Sequence, residues 1–481
     1  MSNRYNLLVI IVLFGFGCAD SYSNTDNAPS GDIILTILYT GDEHGWMEED
    51  AGNGGAAGLL NTWIEEEQYT PDGPFLILSG GDMWTGPAIS TWFKGESMQE
   101  VMNAMDYDAA AIGNHEFDFG ISELHERLSE SDFPFLAANI REISTGQIPE
   151  FAQPYHLVQV ADITVGIIGL SNISTPTTTA PENVAELEFL SYSETLSALV
   201  PEVKSAGAEL MIVIGHLCEQ EMRTLAPIAF NLGVSLIGGG HCHQLTAIKT
   251  FGVGVIAGGS GMSSYARAQL AWSYEENAVV DIDVSTHTNL NAAENPEIAD
   301  IVSVWRGAMD DALNIEIGYV ADDIRQQSAE MHNMITDSWL VSFPMADIAV
   351  SNTGGIRQAI PAGPISIETI VGVLPFDNSI YEMELNGAQV LACIGSNAIG
   401  GLSLVGEAHL LDGTPLHPDS TYSTLTNSYL YSVSSCFQNS EPNPYDTSVH
   451  YRQPLIDWLQ EIETTPENPL DEYLDSTARH P

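Results

Sequence analysis

Five short segments of the chain carry side chains of the types that bind metal ions, and each segment follows a run of apolar residues. The five segments are Thr40-Gly41-Asp42-Glu43-His44-Gly45, Gly80-Gly81-Asp82, Ile112-Gly113-Asn114-His115-Glu116-Phe117-Asp118, Ile214-Gly215-His216 and Gly238-Gly239-Gly240-His241-Cys242-His243. In an extended segment, residues two apart point in the same direction. Asp42 and His44 can therefore share one ion, and so can His241 and His243.

The candidate ligands combine carboxylate and amide oxygens with imidazole nitrogens, a set that suits borderline or hard divalent cations. They are Asp42, His44, Asp82, Asn114, His216, His241 and His243. This set is too large for one ion, but it suits two ions that share a bridging carboxylate. The sequence therefore predicts two divalent metal ions, and the ligand types accept Zn, Mn, Fe or Co.

The elements that must position these residues alternate between short apolar runs and helical stretches. The runs rich in Val, Ile, Leu and Ala predict buried strands at 33–39, 75–78, 109–112, 165–170, 210–214 and 234–237. Helices are predicted between several of them, at 55–67, 97–105, 121–128 and 193–205. This alternation indicates a layered α/β domain. Ligands of open α/β sheets gather at the carboxyl ends of strands, where all five segments lie.

The chain has 481 residues, which is more than one ordinary core holds and favours two domains. We expect a first domain over 32–288, a connector over 289–314 and a smaller second domain over 315–481. Pro296 can open a connector helix over 297–313. The second domain is predicted to mix helices at 331–341 and 454–463 with strands at 348–351 and 380–385, so it is also α/β.

The N-terminus has the pattern of an export signal. Arg4 precedes an apolar stretch over 7–16 that is too short for a typical transmembrane helix, and Gly17-Cys18 follows it. This pattern predicts that residues 1–18 form a lipoprotein-type signal peptide and that residues 19–31 form a polar tether. The alternative is ordinary secretion with cleavage nearby. Either reading places the protein outside the cytoplasm, periplasmic or at the cell surface, and lipidation of Cys18 would attach it to a membrane.

The other four cysteines can form disulfides in such a compartment. Cys393 and Cys436 lie in the same half of the chain and could pair, which the sequence alone leaves open. Cys218 and Cys242 stand beside predicted metal ligands. We expect these two to be small packing residues, since free cysteine is commonly buried.

The charge balance limits the choice of partner. The chain has 65 Asp plus Glu residues against 13 Lys plus Arg, which gives a formal net charge of −52. Such a surface repels nucleic acid and anionic lipid, and it suits concentrated salt, where screening removes the self-repulsion. We therefore expect no nucleic-acid partner. An anionic small molecule needs a local positive source, which bound metal cations can supply.

The ordered set of five segments resembles the calcineurin-like metallophosphoesterases. Longer stretches are similar to the secreted bacterial 5′-nucleotidase family: residues 82–120 with their Gly-Asn-His-Glu-Phe-Asp run, Phe133-Pro134-Phe135-Leu136-Ala137-Ala138-Asn139, Asn352-Thr353-Gly354-Gly355-Ile356-Arg357 and Leu374-Pro375-Phe376. The resemblance implies a four-layer αββα metallophosphoesterase sandwich followed by a smaller α/β C-terminal domain. It also implies a phosphomonoesterase that acts on nucleotides.

The resemblance assigns a role to each residue. One metal would be held by Asp42, His44, Asp82 and His243, and the other by Asp82, Asn114, His216 and His241. His115 and Asp118 match the family's catalytic pair. The substrate-binding residues would be Asn352, Arg357, Phe376 and Tyr429, with the two aromatic rings on either side of the base.

Two departures from the family leave the substrate open. Val433-Ser434-Ser435-Cys436 stands where the family has Gly-Gly-Asp, whose carboxylate binds the sugar, and Gln327 stands where an arginine is common, with Arg325 nearby. The substrate could therefore be a nucleotide, a cyclic nucleotide, a nucleotide sugar or a non-nucleotide ester. A further alternative is a non-catalytic surface lipoprotein that binds a ligand.

Overall fold

The computed structural model of the chain describes residues 32–49, 54–290 and 292–481. The predicted signal peptide (1–18) and tether (19–31) lie outside these residues, so export and lipidation of Cys18 stay predictions. Among the helices of the described ranges, none has the length and apolar content needed to cross a bilayer.

The first part of the chain alternates strands and helices as predicted. Its strands are β1 (Ile33–Thr40), β2 (Phe75–Ser79), β3 (Ala109–Ala111), β4 (Phe135–Leu136), β5 (Ile140–Glu142), β6 (Tyr155–Val160), β7 (Ile163–Leu170), β8 (Leu187–Phe189), β9 (Leu210–Gly215), β10 (Leu236–Gly239), β11 (Leu245–Thr250), β12 (Val253–Gly258), β13 (Ser264–Ser273) and β14 (Ala278–Thr288). Its helices are α1 (Gly55–Glu66), α2 (Ala88–Thr91), α3 (Glu96–Ala104), α4 (Ile121–Glu130), α5 (Tyr192–Ser205), α6 (Glu219–Leu232) and α7 (Pro296–Leu313), with 3₁₀ turns at His115–Phe117, Thr175–Thr177 and Pro181–Val184.

Two six-stranded sheets form the middle of this part, in the orders β14-β13-β1-β2-β3-β4 and β11-β12-β10-β9-β7-β6. Strand β1 shows why the central strands of the two sheets have largely apolar sequences. Ile37 packs in the core between the sheets, while Leu38 on the opposite face joins the core beneath the helices. A strand buried on both faces needs an unbroken apolar run, and this is the pattern that predicted it.

Helices cover the outer face of each sheet. Trp63 of α1 and Leu124 of α4 pack on the first sheet, and Leu196 of α5 and Met222 of α6 pack on the second. The result is four layers in the order helix, sheet, sheet, helix. The predicted αββα sandwich is therefore confirmed.

Helix α7 joins the two parts of the chain. Asn295 caps it by accepting hydrogen bonds from the backbone N–H groups of Glu297 and Ile298, and Pro296 occupies its first turn. Ile298 and Met309 are fully buried in the same core as α1 and α3. The connector helix therefore packs against the first sheet's helices.

The second part of the chain is a smaller α/β unit. Its strands are β15 (Glu316–Val320), β16 (Ile348–Ser351), β17 (Gly363–Ser366), β18 (Ser379–Asn386), β19 (Ala398–Gly400), β20 (Leu402–Ser403), β21 (His409–Leu410), β22 (Thr421–Asn427) and β23 (Tyr445–His450). Its helices are α8 (Ala329–Ser342), α9 (Ile367–Val373), α10 (Gly387–Cys393), α11 (Ser428–Val433), α12 (Ser435–Ser440) and α13 (Gln453–Ile462), with 3₁₀ turns at Thr353–Gly355 and Leu470–Tyr473.

A five-stranded sheet in the order β19-β16-β22-β18-β23 forms the centre of this unit. Trp339 of α8 and Leu455 of α13 pack on one face, and Val390 of α10 and Phe437 of α12 pack on the other. The predicted smaller α/β domain is confirmed by this arrangement.

Two disulfides are present in the described residues. Cys393 in α10 pairs with Cys436 in α12, with their Cα atoms 5.4 Å apart. Cys218 pairs with Cys242, with Cα atoms 5.2 Å apart. The expectation that Cys218 and Cys242 are unpaired packing residues is therefore wrong. The reason is that the loops after β9 and β10 lie side by side, so the residue before α6 meets the residue between His241 and His243.

Candidate metal centre

The loops after five strands bring all the predicted metal ligands to one edge of the sandwich. Strands β1, β2 and β3 are parallel neighbours in the first sheet, and β9 and β10 are parallel neighbours in the second. Their carboxyl ends therefore point to the same edge. The backbone N–H of His44 donates to the Asp82 carbonyl at 2.9 Å, and the N–H of His241 donates to Oδ1 of Asp42 at 2.9 Å. The second of these contacts links the two sheets at the site.

The backbone at the ligands is unusual. Five of the predicted ligands have φ between +48° and +72°, in the left-handed region: Asp42, His44, Asp82, His241 and His243. Such residues cost about 1–3 kcal/mol each and cluster at functional sites. The adjacent glycine turns let the sheets approach, because a Cβ on Gly80 would lie 2.7 Å from the carbonyl oxygen of Gly239.

The ligand atoms form compact groups. The donor atoms of Asp42, His44 and His243 lie within 4.8 Å of one another, and so do those of Asp82, His216 and His241. A third such group joins His44, Asp82 and His115. Two imidazole nitrogen pairs are close: His44 Nε2 lies 3.1 Å from His243 Nε2, and His241 Nδ1 lies 3.2 Å from His216 Nε2. Converging groups of this kind are the donor arrangement of a two-ion site.

Two imidazoles are oriented by backbone carbonyls. Nδ1 of His44 lies 2.9 Å from the Thr85 oxygen, and Nδ1 of His216 lies 2.9 Å from the Gly80 oxygen. A carbonyl oxygen only accepts, so each Nδ1 carries the proton and donates it. In a neutral ring this leaves the Nε2 lone pair free, which is how metal-ligating histidines are held.

The pKa values of three ligand histidines favour the neutral form. Burial lowers the pKa of His44 well below its usual range, and it lowers the pKa of His241 to about 4. Burial, together with the nearby Arg357 guanidinium, also lowers the pKa of His243. These rings are therefore unprotonated at neutral pH and available as ligands.

Asp82 and His216 form the buried pair at the centre of the site, with Oδ2 and Nε2 2.8 Å apart. Burial alone would raise the pKa of Asp82, but the imidazole of His216 lowers it well below the usual range. The Asp82 carboxylate in turn outweighs burial at His216 and raises its pKa to about 10. A metal ion bound here must therefore displace a proton from His216.

Two buried oxygen atoms at the site lack hydrogen-bond partners, and this shows whether the site fits cations. Asp42 Oδ2 and Asn114 Oδ1 are both buried and have no hydrogen-bond partner within the described residues. An unpartnered buried acceptor costs about 1–3 kcal/mol. Both atoms belong to predicted ligands, and a divalent cation would satisfy each. The donor set and these two oxygens therefore fit two divalent ions.

Two buried glutamates support the ligand loops, and sequence reasoning assigned them no role. Glu116 accepts hydrogen bonds from the backbone N–H groups of Asp82 (2.9 Å), Met83 (2.7 Å) and Gly113 (2.7 Å). Glu43 accepts hydrogen bonds from the hydroxyls of Thr40 and Ser79. The sequence could have indicated both residues, since each is a charged residue inside one of the five segments that carry predicted ligands.

His115 and Asp118 form the predicted pair. Nδ1 of His115 lies 2.6 Å from Oδ2 of Asp118, and the hydroxyl of Thr179 donates to Oδ1 of Asp118 at 3.0 Å. Burial lowers the pKa of His115, but the carboxylates of Asp118 and Asp82 outweigh it and raise the pKa overall. The pair therefore favours an imidazolium that lies beside the predicted metal ligands. Thr179 has no sequence motif that would have revealed its contact.

The second domain completes the site from the opposite side. A cavity of about 420 Å³ lies between the two parts of the chain. It is lined on one side by Asp82, Asn114, His115, Asp118, His241 and His243, and on the other by Asn352, Arg357, Phe376, Asp377 and Tyr429. All four predicted substrate-binding residues therefore face the predicted ligands and the His115–Asp118 pair.

Arg357 is the cation at this junction. Its Nη2 atom lies 3.5 Å from Nε2 of His44, and its guanidinium carbon lies 5.9 Å from the centre of the Phe376 ring. Phe376 stacks on His115, with ring centres 5.8 Å apart and 23° between the planes. The hydroxyl of Tyr429 donates to the carbonyl of Thr177 at 3.3 Å.

Both parts of the chain are similar to known proteins. The family model for the calcineurin-like phosphoesterase matches residues 35–245, and that for the 5′-nucleotidase C-terminal domain matches residues 313–403. The 5′-nucleotidase of Bos taurus is 28% identical over 413 residues, which are 74% of this chain and 70% of that protein. The trifunctional nucleotide phosphoesterase protein YfkN of Bacillus subtilis is 26% identical over 423 residues, 77% of this chain. The match spans only 28% of the length of YfkN.

Among solved structures, a 5′-nucleotidase precursor from Thermus thermophilus superposes with a TM-score of 0.78 at 22% identity. The superposition covers 93% of this chain and 99% of that one, and at this identity it shows the fold. One family model lies on the sandwich with the ligand loops, and the other lies on the α/β unit that closes the cavity. The chain therefore combines a region that matches the calcineurin-like phosphoesterase family with a region that matches the 5′-nucleotidase C-terminal domain family.

Proposed function

We propose that the protein is a metal-dependent phosphomonoesterase that hydrolyses extracellular nucleotides. The observation that carries the proposal is the cavity between the two domains. Metal ligands and the His115–Asp118 pair line one wall of it, and Arg357 and Phe376 line the other. A phosphate ester that enters this cavity meets groups for its phosphoryl oxygens and a ring for its leaving group.

Two divalent cations fit the site, one with Asp42, His44, Asp82 and His243 and the other with Asp82, Asn114, His216 and His241. When bound, they supply Lewis acidity for the phosphoryl oxygens and lower the pKa of water. The chain's contribution is to orient the ligand rings. Carbonyl acceptors on His44 and His216 and the strained ligand loops do this before substrate arrives.

His115 has the position of a transition-state stabiliser. Its Nδ1 proton is held by Asp118, so Nε2 is free to face the cavity and to donate to a phosphoryl oxygen. Charge grows on these oxygens as the ester bond breaks, and a positioned imidazolium offsets it. The leaving alcohol of a nucleotide is the nucleoside.

Arg357 and Asn352 are the proposed contacts for the phosphate. A guanidinium donates two parallel hydrogen bonds to phosphate oxygens, and Arg357 lies within 3.5 Å of a metal ligand, where the scissile phosphate must be. Phe376 and Tyr429 line the same cavity and provide rings for a base, a contact worth on the order of 1–3 kcal/mol per base.

Phosphate esters other than nucleoside monophosphates are the second candidate substrates. The segment Val433-Ser434-Ser435-Cys436 lies at the junction of α11 and α12, where the Cys393–Cys436 disulfide holds it. This segment has no carboxylate for a ribose hydroxyl. Weaker selection for the sugar would admit cyclic nucleotides, nucleotide sugars or non-nucleotide esters.

We also propose that the protein works outside the cytoplasm. Two disulfides in the described residues support an oxidising compartment. The N-terminal pattern that ends at Cys18 supports export, with lipidation of Cys18 as the proposed anchor.

The decisive experiment is a hydrolysis assay on chelator-stripped protein with and without Zn, Mn, Fe or Co. The substrates are AMP, cyclic AMP, UDP-glucose and an aryl phosphate, and phosphate release is measured. We expect metal-dependent release from AMP, and at least a 100-fold loss in His115→Ala, since removing one donor that stabilises transition-state charge costs about 10²–10³-fold. Hydrolysis of none of the four by metal-loaded protein would refute the proposal and favour a non-catalytic binding lipoprotein.

A further inference from the structure

Two of the ligand loops are joined by a covalent bond. Cys218 lies two residues after the ligand His216, and Cys242 lies between the ligands His241 and His243. Their disulfide therefore connects the loop after β9 directly to the loop after β10.

The two loops also touch without the disulfide. The N–H of Gly240 donates to the carbonyl of Leu217 at 3.0 Å. A Cβ on Gly239 would lie 2.4 Å from the same oxygen, so the approach requires glycine there. The loops are thus packed at backbone distance.

Helix α6 provides the base to which the disulfide is attached. The backbone N–H of Cys218 donates to the Glu221 carboxylate at 2.9 Å, which caps the helix. Glu219 in the first turn accepts from the hydroxyl of Thr246 at 2.8 Å, and its N–H donates to the side chain of Gln244 at 3.1 Å. The helix start is therefore fixed, and Cys242 is tied to it.

The loop after β10 has a strained backbone that a crosslink can stabilise. His241 and His243 have φ of 72° and 53°, which is costly for residues with side chains. The side chain of His243 is 44% exposed, so packing does little to hold it. A crosslink at the residue between them restricts both.

We propose that the Cys218–Cys242 disulfide is a positioning element of the metal centre, which holds His241 and His243 in the geometry that binds the ions. This inference rests on the proposed function, since it presumes that His241 and His243 bind metal. Without the crosslink the loop relaxes from its left-handed backbone, and the ligands must be reordered each time an ion binds. The loss falls on metal affinity more than on the fold.

The Cys393–Cys436 disulfide offers a matched control, because it closes a loop in the second domain away from the ligand loops. The test compares Cys218→Ser/Cys242→Ser with Cys393→Ser/Cys436→Ser. Affinity for Zn²⁺ and Mn²⁺ is measured on chelator-stripped protein by competition with a chromophoric chelator, and thermal unfolding is measured without metal. We expect the first variant to bind at least one ion about 10- to 100-fold more weakly, the cost typical of removing a group that orients a ligand. The second variant keeps the affinity of the wild type.

A second measurement covers the case in which the first variant does not fold. Folded wild-type protein is reduced briefly with a water-soluble phosphine and alkylated, and mass mapping identifies the opened disulfide. Cys242 is exposed and Cys393 is buried, so the first disulfide opens first. Wild-type affinity in protein opened only at Cys218–Cys242, or an equal loss in both double variants, would overturn the inference. A wild type that binds neither ion would overturn the proposed function as well, so the two failures are distinguishable.

Discussion

Replacing Asp118 by Asn tests the proposed role of the His115–Asp118 pair in the reaction. Asp118 accepts from Nδ1 of His115 at 2.6 Å through Oδ2, and from the hydroxyl of Thr179 at 3.0 Å through Oδ1. Asparagine has nearly the same size but only one acceptor oxygen and no charge. His115 loses the carboxylate that favours its charged form, while no predicted metal ligand is changed.

The size of the effect follows from the bond that is lost. A hydrogen bond with a charged partner contributes about 1.5–3 kcal/mol, and a change of 1.36 kcal/mol in the barrier changes the rate tenfold. The imidazolium is needed most when charge builds on the phosphoryl oxygens, so the loss falls on the transition state. We therefore expect kcat to fall about 10- to 150-fold with KM nearly unchanged.

The pH profile gives a second, independent signature. In the proposed role His115 acts in its protonated form, so we expect activity to be lost as the pH rises through its pKa. Burial lowers that pKa, whereas Asp118 and Asp82 raise it above the usual value overall. Asp118→Asn removes one of the raising charges, so the alkaline limb of kcat must move to lower pH.

The assay is a steady-state pH profile of phosphate release by metal-loaded protein. Thr179→Val is the matched control: it removes the other hydrogen bond to Asp118 but leaves the ion pair with His115. The control is expected to lose less activity, and its alkaline limb stays or moves to higher pH, because the Asp118 carboxylate then interacts with His115 alone. An Asp118→Asn protein with an unshifted alkaline limb, or with its loss confined to KM, would refute the assigned role of the pair.

Three further predictions concern other parts of the molecule. Arg357→Ala is expected to raise KM for AMP about 10- to 150-fold through the lost charge-assisted contact, and steady-state kinetics with unchanged metal content would verify this. In Glu116→Gln, a single amide oxygen must accept from the three backbone N–H groups that the carboxylate accepts from now. We therefore expect this substitution to lower the free energy of unfolding by about 2–4 kcal/mol, as measured by urea denaturation. A net charge of −52 predicts that the melting temperature rises between about 0.1 and 1 M NaCl, since the Debye length falls from about 10 to about 3 Å; a flat or falling curve would contradict this.

Elements with unbroken apolar runs could be predicted from the sequence, because a short run of this kind is best accommodated as a strand buried on both faces. The run at 33–39 became β1 (Ile33–Thr40), and the connector helix begins at Pro296 as predicted. The strand predicted at 234–237 is observed at Leu236–Gly239 instead. Its glycines extend it because Gly239 pairs with Ala257 of β12, a contact the local pattern does not encode.

The hairpin of β13 and β14 was not predicted, and its second strand shows why. Much of β14 (Ala278–Thr288) is exposed or half-buried, and it carries Asp281 and Asp283, residues that strands disfavour. The strand exists because it pairs along β13, which itself pairs with β1. Long-range pairing of this kind overrides local preference.

The candidate ligands were predictable because each carries its signal in one segment, whereas their support was not. The Cys218–Cys242 disulfide depends on two loops that are 24 residues apart in sequence and adjacent only in the fold. Thr179 reaches Asp118 from a loop that carries no motif. Contacts between segments that are distant in sequence could not be predicted from local patterns.

The placement of Arg357 shows how the two domains depend on each other. Burial is the largest cause of the low pKa of His44, and the nearby charges of His115 and Arg357 lower it further. A cation 3.5 Å from Nε2 of His44 therefore opposes the proton that would compete with a metal ion for that nitrogen. The same guanidinium faces the cavity in a chain of net charge −52, where an anionic substrate finds few other fixed cations. One arginine from the second domain thus adds to the burial that keeps His44, a predicted ligand of the first domain, neutral, and it also places a positive charge at the proposed phosphate site, so the proposed site requires both domains.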